Sequence, residues 1–173
     1  MNETLNSLKT RRSIRSYLPK QVEKDLLDQV LEAGTYAPTG GGQQVPVIVA
    51  VQDPATVKQL SKMNAKVIGN DSDPFYGAPT VLVVLAERTR RTYLLDGASV
   101  MTTLVNAAHA VGLGSCWIHR AKEMFESEEG KALLIKWGLS GDYEGIGNVI
   151  VGYPVGPAPQ PAPRKANYII RVD

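Results

Sequence analysis

Tyr93 to Val111, YLLDGASVMTTLVNAAHAV, is the longest helical pattern in the chain, and its reading decides the fold. Leu94, Leu95, Ala98, Val100, Met101, Leu104, Val105, Ala107, Ala108 and Val111 fall around most of the circumference instead of along one stripe. A surface helix needs only one apolar stripe facing the core. An apolar circumference needs two covering surfaces, so this helix is either the centre of the domain or shared with a second subunit. Gly112 stops it, and Leu113 to Ile118, LGSCWI, reads as a strand.

The flanking segments supply the layers. Val45 to Gln52, Thr80 to Ala86 and Ile146 to Tyr153 are β-branched apolar runs that read as buried strands, with Pro46 confined to a strand start or an edge. Glu3 to Lys9 carries Leu5 and Leu8 at helical spacing. Gln21 to Tyr36 places Val22, Leu26, Leu27, Val30, Leu31 and Ala33 on one helix face. Asp53 caps a further helix with Pro54 at its first position and Val57, Leu60 and Val67 facing inward. Lys122 to Gly138 holds one or two helical turns and then a helix. Asp71 to Pro79, DSDPFYGAP, and Ser140 to Gly145 read as loops. Five prolines between Pro154 and Pro163 force the tail into an extended path, and the tail ends in NYIIRV, a strand pattern. A stiff spacer tipped with a strand suits the sheet edge of a partner chain.

A chain of 173 residues that is 43% hydrophobic accommodates one core, so residues 1–173 are read as a single domain with an extended tail over 154–173. The 19 basic and 17 acidic residues nearly balance, with basic excess only at Arg11 to Lys20 and Arg88 to Arg91, which argues against nucleic acid as a partner. The N-terminus lacks a signal-peptide core, and no run approaches the roughly 18 apolar residues of a spanning helix. The expected location is the cytoplasm, with no membrane partner. Cys116 is the only cysteine, in an apolar context that suits a buried small hydrophobe. Two histidines, His109 and His119, make no metal site, and no metal is expected.

Two polar stretches remain. Arg11 to Tyr17, RRSIRSY, packs three arginines and two serines into seven residues. Arginine forks match phosphate oxygens, so the heptad reads as an anion site, against a solvated basic turn as the plainer alternative. Ala37 to Gln44, APTGGGQQ, sets three glycines where a helix passes into a strand, and bare backbone of this kind can approach a ligand closely. Nucleophile elbow, Walker loop, dinucleotide fingerprint and zinc spacing are all missing from the sequence, so chemistry has to come from a cofactor.

Taken in order, RRSIRSY, APTGGGQQ, FYGAP before a strand, a long apolar helix running into AAHAVGLGSCWI, and VGYP before a proline-rich basic tail resemble the nitroreductase family of flavin mononucleotide (FMN) oxidoreductases. The resemblance implies an α+β fold with a central mixed β-sheet flanked by helices, assembled as a homodimer with a domain-swapped C-terminal strand and two flavins at the interface. It implies that Arg11, Arg12, Ser13 and Arg15 hold the phosphate and ribityl end of FMN, with Arg164 or Lys165 completing the clamp. Pro38 and Thr39 match the family's proline and serine, and Gly40, Gly41, Gly42, Gln43 and Gln44 form the loop that meets the flavin across the interface. Gly42 stands where an asparagine is usual, with Gln43 as its candidate substitute. Ser115, Cys116, Trp117 and Ile118 resemble the strand lying along the isoalloxazine.

The activity implied is a ping-pong hydride transfer from NADH or NADPH through FMN to a small nitroaromatic or quinone acceptor, with no catalytic acid or base from the protein. A second reading keeps the same flavin clamp in a non-catalytic storage or sensing module, since fold alone does not settle activity. Nicotinamide oxidation separates the two.

Overall fold

The computed structural model describes residues 2–172. Helices begin where a side chain satisfies the first free amides. Asn2 caps α1 (Glu3–Thr10) by accepting from Leu5 N, and α2 (Lys24–Thr35) follows the arginine heptad. Asp53 caps α3 (Pro54–Ile68), accepting from Thr56 N at 2.8 Å with Pro54 in the first turn. The long helix is α4 (Tyr93–Ala110); α5 (Ala121–Glu126) and α6 (Glu128–Lys136) follow, with Ser127 capping α6 through Gly130 N at 3.0 Å. The strands are β1 (Pro46–Val51), β2 (Thr80–Glu87), β3 (Gly114–Ile118) and β4 (Tyr143–Gly152).

They form one sheet in the order β1-β2-β4-β3, each neighbour antiparallel. β2 is buried along nearly its whole length, because helices cover both faces of the sheet; its sequence is therefore a continuous apolar run instead of an alternating one. Val81, Val83 and Leu85 pack with Leu60, Met63, Phe75, Met124, Phe125 and Leu133. Leu82 and Val84 turn the other way, onto Val30, Val100, Met101, Leu104 and Ala108 of α2 and α4. Each such side chain contributes about 1.5–3 kcal/mol by leaving water.

α4 touches α1, α2 and all four strands, which makes it the centre of the domain. Close approach is achieved with glycine: a Cβ on Gly34 would stand 2.6 Å from Leu104, and one on Gly97 2.5 Å from Ile146. Leu94 and Leu95 are not covered, and Leu95 remains 72% exposed.

Several expectations need correction. The helix expected over Gln21 to Tyr36 starts at Lys24, because Gln21 accepts from Val22 N at 2.9 Å and donates to Gln52 O and Pro79 O, holding Val22 extended and buried. Val67, expected inside, is exposed near the end of α3. β4 starts at Tyr143 instead of Ile146, carrying an irregular register opposite Val84 and Leu85. Every strand pair is antiparallel, and the only parallel element among the described residues is the bridge of Ser13 to Ser115. The NYIIRV segment, expected to reach a partner's sheet, pairs with no strand of its own chain, and Tyr168, Ile169, Ile170 and Val172 are all exposed, so that expectation needs no correction.

α1 docks on α4 through Thr10, whose hydroxyl donates to Asn6 O at 2.9 Å and lies 2.9 Å from His109 Nε2. With the hydroxyl proton engaged, Nε2–H donates to Thr10 and Nδ1 is the atom that titrates. Burial, then the charges of Arg11 and Arg12, hold His109 below the usual imidazole range. Its folded pKa therefore lies below its unfolded one, so the unfolded chain binds the proton more readily. The contribution is fully present above about pH 6.5 and is lost as pH falls from there through the folded value. Urea midpoints should fall on acidification across that window, and His109→Gln, which keeps a donor to Thr10, should remove part of the slope.

Candidate functional site

α1 ends at Thr10, and from Arg11 the chain straightens. Ile14 N donates to Ser115 O at 2.9 Å, so the arginine segment lies along the outer edge of β3. Gly114 makes room for it, since a Cβ there would meet Ile14 at 3.1 Å. Farther on, Leu18 N donates to Tyr153 O and Val155 N to Ser16 O, which fastens the start of the tail beside the same segment. Tyr17 is buried between them, its hydroxyl donating to Ile14 O at 2.7 Å.

The tail then returns to the arginines. Leu8, Lys9, Arg11 and Arg12 face Gln160 to Arg164 across a cleft of about 680 Å³. Arg12 Nη1 donates to Lys9 O at 2.8 Å and Arg11 O at 2.7 Å, leaving its Nε buried with no partner. Arg164 Nε and Nη2 are oriented by Ala162 O at 3.1 and 2.6 Å. Arg11, Arg12 and Arg164 join no ion pair among the described residues. Three guanidinium groups without carboxylates, one with an orphaned buried N–H, make a donor set suited to a phosphate monoester. Of the two basic tail residues, Arg164 lines the cleft; Lys165 lies over the Tyr168 ring at 5.4 Å.

Along β3, Cys116 and Ile118 point into the core, so only their main chain can meet a ligand. Ser115 is buried with its hydroxyl 3.4 Å from Val105 O, whereas Trp117 is 38% exposed. Beyond Ser115 no strand covers this edge among the described residues. Arg15 is exposed and its guanidinium lies 6.0 Å from the centre of the Tyr76 ring. The loop carrying Tyr76 is shaped by Asp73, whose carboxylate accepts from Ser61 Oγ, Phe75 N and Gly77 N at 2.6 to 2.9 Å.

The glycine loop is one 3₁₀ turn, Gly40–Gly42, with Gly41, Gly42 and Gln44 in the left-handed region. Asp96, in the first turn of α4 and only 4% exposed, accepts from Gly40 N at 2.9 Å and from Thr92 Oγ1 at 3.0 Å. Gly40 admits no side chain, because a Cβ would stand 2.5 Å from Thr92 Oγ1. Thr39 Oγ1 accepts from Gln44 N, and Arg90 donates to Gln43 Oε1 at 2.6 Å. Pro38 precedes the turn as an exposed residue, and Gly42 opens onto free space.

The structure thus divides the expected residues in two. Arg11, Arg12 and Arg164 line one cleft, and the segment that carries Ser13 and Arg15 runs on along β3, Ser115 to Ile118. Pro38 to Gln44 lead into β1, the opposite edge of the sheet, three strand spacings or about 14 Å from β3. Sequence reading missed Asp96, Asp73 and Tyr76. An acid inside an otherwise apolar helix was the available sign for Asp96.

Comparison with known proteins completes the picture. A nitroreductase family model matches residues 8–70 and 68–153. A nitroreductase with bound FMN from Bacteroides fragilis superposes with a TM-score of 0.92 at 28% identity, over 100% of both chains. An Archaeoglobus fulgidus protein, provisionally assigned as an NADH dehydrogenase/NAD(P)H nitroreductase, is 28% identical over 89% of this chain and 87% of its own. The Bacillus subtilis FMN reductase [NAD(P)H] is 47% identical over 64 residues, which is 36% of this chain and 25% of that one. The matched stretches take in the arginine segment, the glycine loop and the whole sheet, and on that footing the chain belongs to the nitroreductase family.

Proposed function

We propose that the chain is an FMN-dependent oxidoreductase that takes hydride from NADH or NADPH and delivers it to a small nitroaromatic or quinone acceptor. The observation that carries this reading is the arginine cleft, with its orphaned Arg12 Nε, at the head of the segment that pairs with Ser115 on the edge of β3. Bound FMN supplies the two-electron chemistry. Arg11, Arg12 and Arg164 hold its phosphate, with Ser13 as a neutral donor. Arg15 and the main chain of Cys116 to Ile118 orient the ring, and Trp117 shields it from water. Two relatives named for NAD(P)H and a solved structure named for FMN support the assignment.

The working unit is a homodimer. A glycine loop a full sheet width from its own β3 serves the site of a partner, where Thr39 and Gln44 reach the ring. The exposed Tyr36, Leu94 and Leu95 supply apolar contact area beside that loop. NYIIRV, unpaired in its own chain, adds a strand to the partner's sheet.

Purified protein should be yellow and release FMN on denaturation, and a colourless protein that takes up none would refute the assignment. Arg12→Ala and Arg164→Ala should each weaken FMN binding by about 1–3 kcal/mol, the usual loss of a charge-assisted bond. Because donor and acceptor use one open face in turn, double-reciprocal plots at several acceptor concentrations should be parallel. Cys116→Ala and His119→Gln should then lower turnover by less than about tenfold, short of the loss of a general acid or base. Flavin bound without nicotinamide oxidation would instead support the storage module. Deleting residues 164–173 should lower flavin content and dimer stability together, as read by absorbance and light scattering on one sample.

A further inference from the structure

Three residues other than glycine adopt left-handed φ among the described residues: Gln44 at 51°, Tyr76 at 53° and Arg120 at 77°. Backbone of this kind is strained for any residue with a Cβ, and it persists where the surroundings impose it, most often at functional sites. Gln44 ends the glycine loop and Tyr76 lies beside Arg15, both within segments already placed at the site. Arg120 is the third, two residues past the end of β3.

Its surroundings are specific. His119 O accepts from Asn64 Nδ2 at 2.8 Å, and Asn64 Oδ1 accepts from Arg120 Nε at 3.0 Å. Asn64 is fully buried in α3, where Nδ2 also contacts Met124 Sδ at 3.2 Å. A fixed amide therefore grips both the strained peptide and the guanidinium. The half-buried Arg120 enters no ion pair among the described residues, and among them no side-chain hydrogen bond engages its two terminal nitrogens. Arg88 shows the contrast, meeting Glu144, Asp142 and Glu126. An anchored arginine fork without a carboxylate is prepared for an anion that arrives with a ligand. Arg120 follows β3 by two residues, so it leaves the sheet at the end of that strand away from the Ser13 to Ser115 bridge.

We propose that Arg120 recognises an anionic group on the molecule that enters the open face of the site: a carboxylate on the acceptor or the pyrophosphate of the nicotinamide donor. The proposal rests on the oxidoreductase reading above only for where that face lies. Arg120 acts as a specificity residue, and Asn64 positions it.

The test uses FMN-loaded protein, 4-nitrobenzoate, and its neutral isostere 4-nitrobenzamide. Calorimetry should show the wild type binding the carboxylate about tenfold more tightly, a preference that shrinks as salt is raised. Arg120→Gln keeps a donor for Asn64 but removes the charge; it should abolish the preference by weakening binding of the carboxylate about tenfold. Arg120→Lys should retain part of it. If the preference survives in Arg120→Gln while the KM for NADH rises about tenfold, the anion recognised is the donor's pyrophosphate. Equal binding of both probes by the wild type, combined with an unchanged KM for NADH in Arg120→Gln, would overturn the proposal. Should calorimetric discrimination persist in a protein that oxidises no nicotinamide, the oxidoreductase reading falls and the role of Arg120 stands.

Discussion

The main-chain bonds that lace residues 14–18 between β3 and the head of the tail are what the site depends on. Ile14 to Ser115, Leu18 to Tyr153 and Val155 to Ser16 are ordinary amide bonds, each contributing about 1 kcal/mol net. Their importance is positional. They fix an otherwise irregular segment against a rigid sheet, so that arginines from one end of the chain and Arg164 from the other arrive at the same cleft. Buried Tyr17 serves as the peg of this arrangement, since its ring fits where Gly152 carries no side chain and a Cβ would stand 2.9 Å from it.

A second arrangement governs the opposite edge. Asp96 is a carboxylate buried in the first turn of α4, where the helix dipole favours negative charge. It fixes the glycine loop through Gly40 N. Nearby, the buried Glu144 accepts from Arg88 Nε and Nη2 at 2.9 and 2.7 Å and from Tyr93 Oη at 3.1 Å, which anchors the turn leading into α4. Asp96 thus supports a loop that carries no charge itself, and Glu144 the turn before α4. The left-handed backbone at Gly41, Gly42 and Gln44 is held by the Asp96 contact together with the loop's own bonds, such as Gln44 N to Thr39 Oγ1.

Much of this was legible in the sequence because it depends on pattern. β2 is legible as a continuous apolar run and α3 from Asp53-Pro54, while the arginine heptad and the basic tail, read as parts of an anion site, line one cleft. Where reading failed, a single side chain overrode the pattern. Gln21 bonds three main-chain groups and delays α2, while β4 gains Tyr143 to Gly145 because a register irregularity lets a polar segment join the ladder. Arg120 was overlooked since nothing local marks it: its significance lies in an amide of α3 that only the fold brings within 3.0 Å. The apolar circumference of α4 is legible in the sequence, but which elements cover it, α1, α2 and the four strands, is not.

The strand order carries a consequence for synthesis. β2, at residues 80–87, has β4, at 143–152, as one of its two neighbours, so the central pairing of the sheet joins segments more than fifty residues apart. Pairings of such long separation close slowly, because the intervening loop loses entropy before any contact rewards it. As the chain leaves the ribosome, β1 and β2 can pair early, but one edge of β2 stays open until β4 emerges. During that interval the nascent chain presents Val81 to Leu85 as an unpaired edge, a segment suited to capture by a chaperone or by a neighbouring chain.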